Sequence, residues 1–145
     1  MLVRSRDTPV KLSPVQSTRE ILKTANVLYA EDDALVRKLT GRLLTRAGYN
    51  ITSVENGLAA LEALQKSDFD LLITDNDMPN LTGVELVTKL RRNKVTMPII
   101  LASGSAGFFS GEEYRWLNFS ACLQKPFLPD ELVHTVGQVL QRPVA

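Results

Sequence analysis

The chain holds a single cysteine, Cys122, in 145 residues, so no disulfide can form within it. That usage fits a reducing cytoplasm. There is also only one histidine, His134. One Cys with one His leaves too few ligands for a structural zinc site. His134 has no ligand partner nearby in sequence and reads as a partly exposed helix residue. Long apolar runs are missing, since none approaches the ~20 residues that a membrane span needs. The opening MLVRSRDTPVKLSPVQ is too polar for a secretory signal. Neither charge sign dominates: the net charge is +1. That balance gives no footprint for direct nucleic-acid binding. No internal repeat and no low-complexity run is found.

What is present is ordinary for a globular chain: 44% hydrophobic and 23% charged residues. The length suits one domain with a proper core. Residues 1–26 hold five Lys/Arg against two acids, with two prolines and little periodicity. The reading is a basic, mobile leader or linker over 1–25, with a helical turn near Thr18–Lys23 and a domain over 26–142. A docking segment is the sharper alternative for the leader.

Four short apolar runs stand out: NVLYA (26–30), DLLIT (70–74), PIILAS (98–103) and ACLQ (121–124). YNITSV (49–54) is a weaker fifth. Their length and their content of β-branched residues or Leu predict strands. Helical spacing falls between them. Leu35, Leu39 and Leu43 recur at i, i+4 within 34–47, and Gly48 stands where a helix-ending glycine belongs. Leu58, Leu61 and Leu64 form a stripe in 57–66, as do Val84, Val87 and Leu90 in 83–92. Arg91, Arg92 and Lys94 suit the end of that helix. Pro129 opens a helix over 129–141, striped by Leu132, Val136, Val139 and Leu140. Residues 107–118 are the least regular helix. Five strand–helix repeats predict a parallel sheet with helices on both faces. Right-handed crossovers make it doubly wound.

In such sheets the functional groups gather beyond the carboxyl ends of the strands. Glu31, Asp32 and Asp33 follow the first strand. Asp75 and Asp77 follow the third, Ser103 the fourth and Lys125 the fifth. Singly, each has a plain reading as a cap, turn or surface residue. Together they fall on one edge. Crowded carboxylates raise one another's proton affinity, so a cation should join them. Mg²⁺ takes one or two carboxylates plus phosphate. Lys125 adds a point charge and Ser103 a hydroxyl donor. An aspartate in such company can accept a phosphoryl group as a covalent nucleophile. The constellation therefore points to phosphoryl transfer to Asp75.

These motifs resemble the receiver domain of the two-component response regulators, over about residues 26–142. VLYAEDD resembles its first-strand acidic pair, DLLITDNDMPNLTG its phosphoacceptor motif, PIILASG its fourth strand, and LQKPF its Lys-Pro. The resemblance implies an α/β, flavodoxin-like, doubly wound five-stranded parallel sheet of order 2-1-3-4-5 with five helices. It places the phosphoacceptor at Asp75. It implies Mg²⁺ bound by Asp32, Asp75 and the backbone carbonyl of Asp77, with Glu31 acting through water. Ser103 and Lys125 are the implied phosphate-binding switch pair, and Lys125–Pro126 is cis in many relatives. The implied partners are a histidine kinase or phosphotransfer protein, and a downstream protein reached through 105–142. Phosphorylation-dependent dimers are a further option. The implied chemistry is self-phosphorylation and dephosphorylation rather than enzymatic turnover.

Three positions depart from the family pattern. Cys122 stands where the switch aromatic usually falls, and Phe119 is misplaced to substitute directly. Asp77 adds a carboxylate, which is expected to alter phosphoryl lifetime by repelling or orienting water. Glu31 replaces the commoner Asp and is one methylene longer. Phe108, Phe109, Tyr114 and Trp116 crowd 105–118, either as core or as a docking face. No output domain fits after residue 125, so the chain is expected to be a stand-alone regulator or a receiver from a larger protein. Two rivals remain open at this point. One is a receiver-shaped interaction module that is never phosphorylated. The other is a haloacid-dehalogenase-type phosphatase, which ITDNDMP also resembles.

Overall fold

The computed structural model describes residues 24–141. The leader read over 1–25 falls outside these except for its last two residues, and so does the turn near Thr18–Lys23. Each apolar run becomes a strand: β1 (Asn26–Ala30), β2 (Asn50–Val54), β3 (Leu71–Asp75), β4 (Ile99–Ser103) and β5 (Ala121–Gln124). All pairings are parallel and the order is β2-β1-β3-β4-β5. β3 and β4 are buried at every residue, because helices cover both faces of the middle of the sheet. β2 lies at an edge and buries none of its residues fully.

Four α-helices connect or close the strands: α1 (Ala34–Arg46), α2 (Gly57–Lys66), α3 (Gly83–Arg92) and α4 (Pro129–Val139). Residues 107–118 form two 3₁₀ turns at the fifth helical position, η1 (Ala106–Ser110) and η2 (Glu112–Leu117). Gly107 and Gly111 disfavour a continuous α-helix there, and Asn118, at φ 53°, ends the second turn. Gly48 has φ 104° just after α1, the left-handed stop its position predicts. Pro129 opens α4, where its missing N–H costs nothing.

Alternate strand residues feed two cores. Val27, Tyr29, Leu71, Ile73 and Ile100 meet Leu44, Leu132 and Val136 on the α1/α4 face. Leu28, Leu72 and Ile99 meet Leu86, Val87, Leu90 and Leu117 on the other. The helix over α1 is as the sequence predicts, but its leucine stripe is not the buried face. Leu35 and Leu39 are 65% and 55% exposed, and Leu44 is the residue that reaches the core. Gly41 lets α1 lie close to β2, since a Cβ there would stand 3.3 Å from Ser53 Oγ. That contact turns the leucines sideways. Leu39 and Leu43 line an apolar crevice of about 660 Å³ with Phe127 and Leu132.

Candidate functional site

The five strands end on one edge, and four of them deliver the predicted residues there. Glu31 and Asp32 follow β1, Asp75 ends β3, Ser103 ends β4 and Lys125 follows β5. Glu31, Asp75 and Ser103 are buried, whereas Asp32 is exposed. Oxygens of Glu31, Asp32 and Asp75 all lie within 4.8 Å of one another. Lys125 Nζ stands 3.2 Å from Glu31 Oε1 and 3.0 Å from Asp75 Oδ1. The contact to Asp75 is an ion pair without hydrogen-bond geometry. Asp75 Oδ1 is thus a buried side-chain oxygen with no hydrogen-bond donor.

The three acids after β1 have separate tasks. Asp33 caps α1: its Oδ1 accepts from Leu35 N and Val36 N, each at 3.0 Å. Glu31 uses both oxygens, one facing Lys125 and the other accepting from Asp33 N at 3.2 Å. Asp32 is left open. Arg37 holds the turn by donating to Glu31 O at 2.8 Å and Asp32 O at 3.3 Å. Sequence reading missed that role, because a charged residue on a helix gives no sign of its backbone partners.

Burial sets the electrostatics. It raises the pKa of Asp75 above the ordinary value, with Lys125 opposing. Burial raises Glu31 as well, despite the N–H of Asp33 and the lysine. For Lys125, burial disfavours the charge, but Asp75 and Glu31 outweigh it and its pKa is raised. The Tyr29 phenol beneath is pushed up to about 12, chiefly by burial. This is a cluster with more negative charge than one lysine can offset. A hard cation fits the donor set, which is all carboxylate oxygen and includes an oxygen without a hydrogen bond.

The Asp75 backbone is held just as closely. Thr74 Oγ1 donates to Asp75 O at 2.9 Å. Asn76 turns back to α3, its carbonyl and Oδ1 accepting from Gly83 N at 3.1 Å and Val84 N at 3.0 Å. Thr82 and Glu85 cap that helix reciprocally. A Cβ on Gly83 would collide with Asp75 O and stand 3.0 Å from Asn76 Cα. Gly83→Ala is therefore expected to cost about 2 kcal/mol by overpacking. Urea unfolding measures it, and a loss below about 0.5 kcal/mol, within the range of neutral substitutions, would refute the argument.

Ser103 Oγ accepts from Ser105 N at 3.0 Å, so its own proton is left to donate. Cys122 is half-buried on β5, where burial pushes its thiol pKa up. Aromatic rings of neighbouring segments lie close to it. Phe109 and Tyr114 line a crevice over Cys122, with centroids 5.1 Å apart, and Phe108 packs on both. Phe108 and Trp116 are exposed, whereas Tyr114 and Phe119 pack against the core. The core reading thus holds for Tyr114, and Phe108 and Trp116 stay at the surface. The Lys125–Pro126 bond is cis. His134 is exposed on α4. No helix among the described residues is long and apolar enough to cross a membrane.

Comparison with known proteins places this geometry. The family model of the response regulator receiver domain matches residues 27–137. The response regulator receiver protein CpdR of Brucella abortus is 32% identical over 114 residues, covering 79% of this chain and 95% of CpdR. The cell cycle response regulator CtrA of Brucella ovis is 30% identical over 118 residues, covering 80% of this chain but 50% of CtrA. The chain thus spans half the length of that relative. Among solved structures, chemotaxis response regulator CheY4 of Vibrio cholerae superposes with a TM-score of 0.74 at 30% identity, covering 81% of this chain and 99% of CheY4. Response regulator TrrA of Thermotoga maritima, solved in complex with Mg²⁺-BeF, gives 0.72 at 29% identity, with 80% and 99% covered. The sheet order, the acidic edge and these matches agree, and the chain belongs to the response regulator receiver domain family of two-component signalling.

Proposed function

We propose that Asp75 is the phosphoacceptor of a switch, taking its phosphoryl group from a phosphohistidine on a histidine kinase or phosphotransfer protein. The observation that supports this best is the Asp75 carboxylate itself, buried at a strand end with one oxygen lacking a hydrogen bond. In the transfer, a carboxylate oxygen attacks phosphorus and the P–N bond to the imidazole breaks. The ring leaves neutral, keeping the proton on its other nitrogen. Asp32, Asp75 and the Asp77 carbonyl would hold Mg²⁺, with Glu31 reaching it through water because both its oxygens are engaged. The ion would offset charge on the phosphoryl oxygens. The Mg²⁺-BeF complex of TrrA favours that choice of metal.

Lys125 then pairs with a phosphoryl oxygen and Ser103 donates its hydroxyl proton. Ser103 is bonded to Ser105, which opens η1, so its movement is passed to residues 105–142 and a downstream protein. The aromatic cluster over Cys122 takes the place of a single switching ring. The chain's own chemistry is confined to self-phosphorylation and dephosphorylation, and a cytoplasmic setting suits it. The domain would span 26–142, with 1–25 as its leader. Dimer formation on phosphorylation remains part of this reading.

The test is intact mass after incubation with acetyl phosphate, with and without Mg²⁺, and then with a phosphohistidine protein donor. A metal-dependent gain of one phosphoryl group supports the reading. No gain from either donor would leave a docking module. Steady turnover of a phosphate ester would instead favour the phosphatase reading.

Asp77 is exposed beside the acceptor. Its carboxylate would alter the lifetime of the acyl phosphate by orienting or repelling the attacking water, and we infer orientation. Asp77→Asn is expected to slow dephosphorylation by roughly threefold or more, under about 1 kcal/mol in barrier for threefold. Equal decay rates in the two proteins would remove Asp77 from the mechanism.

A further inference from the structure

The side of α1 facing away from α4 carries a feature that phosphoryl transfer does not use. A crevice of about 740 Å³ runs between α1 and β2, lined by Arg37, Lys38, Arg42 and Arg46, with Ile51 and Ser53 from the strand. No carboxylate lines it, and α1 itself contains none. Arg37 is engaged with the carbonyls of Glu31 and Asp32. Lys38, Arg42 and Arg46 are exposed and make no ion pair among the described residues. They stand at i, i+4 and i+8, a row about 12 Å long. Like charges at that spacing repel. An anionic ligand would relieve the repulsion.

The strand supplies a second, independent feature. Among the described residues β2 pairs only with β1. Asn50 N donates to Ala25 O and Val54 O accepts from Glu31 N, so residues 50, 52 and 54 turn their backbone toward β1. By alternation Ile51 and Ser53 turn theirs outward. The two residues that line the crevice therefore also offer edge N–H and C=O groups that no strand among the described residues pairs. A nucleic acid would meet the cations but leave this edge unpaired. The leader of this chain is a poor occupant, because five Lys/Arg against two acids over residues 1–26 give it the wrong sign.

We propose that this crevice takes an acidic, extended segment of a partner protein, added as a sixth strand beside β2. Alternate side chains of such a strand recur about every 6.8 Å on one face, so two or three acids reach the cationic row.

The test uses the full chain and a labelled octapeptide of alternating Glu and Val, read by fluorescence anisotropy. Controls are the matching Gln–Val peptide and a single-stranded oligonucleotide of equal charge. Binding of the Glu–Val peptide is expected. It should weaken about tenfold in the triple variant Lys38→Gln, Arg42→Gln, Arg46→Gln, and as salt rises from roughly 50 to roughly 300 mM. Ser53→Pro, which deletes an outward N–H, should weaken it similarly without touching charge. If that variant unfolds, amide shifts of Ile51 and Ser53 in the wild type decide the same point. Equal binding of both peptides, no binding of either, an unaffected triple variant, or unmoved Ile51 and Ser53 amides overturns the proposal. Tighter binding of the oligonucleotide overturns it in favour of a polyanion surface.

Discussion

Asp75→Asn is expected to gain no phosphoryl group from acetyl phosphate and Mg²⁺, under conditions where the wild-type chain gains one. The amide lacks the anionic oxygen that would attack phosphorus. The same substitution is expected to make the metal-free protein more stable. Burial raises the Asp75 pKa, so its folded value lies above its unfolded one. Between those two values the folded state holds more protons, and stability falls as pH rises through that window. Above the folded value the loss is complete, and there the ionised group opposes folding. Asparagine removes the charge and leaves Lys125 with Glu31. A rise of about 3 °C in Tm is expected above the folded value, shrinking as the pH drops through that window toward the usual carboxylate range. Mg²⁺ should raise the wild-type Tm and close that gap. Mass spectrometry and thermal melts at two pH values read both effects. An adduct retained in the variant would move the acceptor elsewhere, and a lower Tm would mean that the Lys125 pair outweighs burial.

Arg91→Ala is expected to cost about 3 kcal/mol, one of the larger stability losses a side chain outside the acidic cluster should give. The guanidinium stands at the end of α3 and spreads over four carbonyls. Nε donates to Leu117 O at 2.7 Å, Nη1 to Val95 O and Met97 O at 2.9 Å each, and Nη2 to Asn118 O at 3.2 Å. Burial lowers its pKa, yet these partners all accept from the charged form. Truncation strands several acceptors at once and frees the end of η2 from α3. Lysine cannot reproduce the fork, so Arg91→Lys should recover less than half of the loss. Urea unfolding gives the energy, and hydrogen exchange over 112–120 should speed up in both variants. A loss below about 1 kcal/mol would mean that packing alone holds this segment.

Arg91 shows what sequence could not express. Its position after Val84, Val87 and Leu90 reads as a cation at a helix end, which is true but minor. Its actual partners lie up to 27 residues away and are backbone carbonyls, which carry no residue signature. The α1 leucines make the same point from another direction. Their i, i+4 spacing identifies a helix, but the face that meets the sheet is chosen by Gly41 against Ser53 and by Leu44. The residues at 107–118 show a third kind of limit. Their glycines weaken the α-helix locally, and packing of Leu117 and the aromatic rings then favours two tight turns.

Much of the architecture was decided by pattern alone. Strand-length apolar runs alternating with helical stripes allow few arrangements once crossovers must be right-handed. The acids, hydroxyl and lysine fall immediately after those runs, so their meeting on one edge follows from chain order. Tertiary structure decided how the acidic residues divide their work: Glu31 is buried against Lys125, Asp32 is open, and Asp33 is spent on a helix cap. It also decided that Asp75 keeps an oxygen without a hydrogen bond, and that the α1 cations share a crevice with the open edge of β2. The physical reason is range. Periodicity and turn chemistry act over a few residues and are written in sequence order. Burial, ion pairing and the orientation of a helix on its sheet are sums over neighbours that only the folded chain brings together.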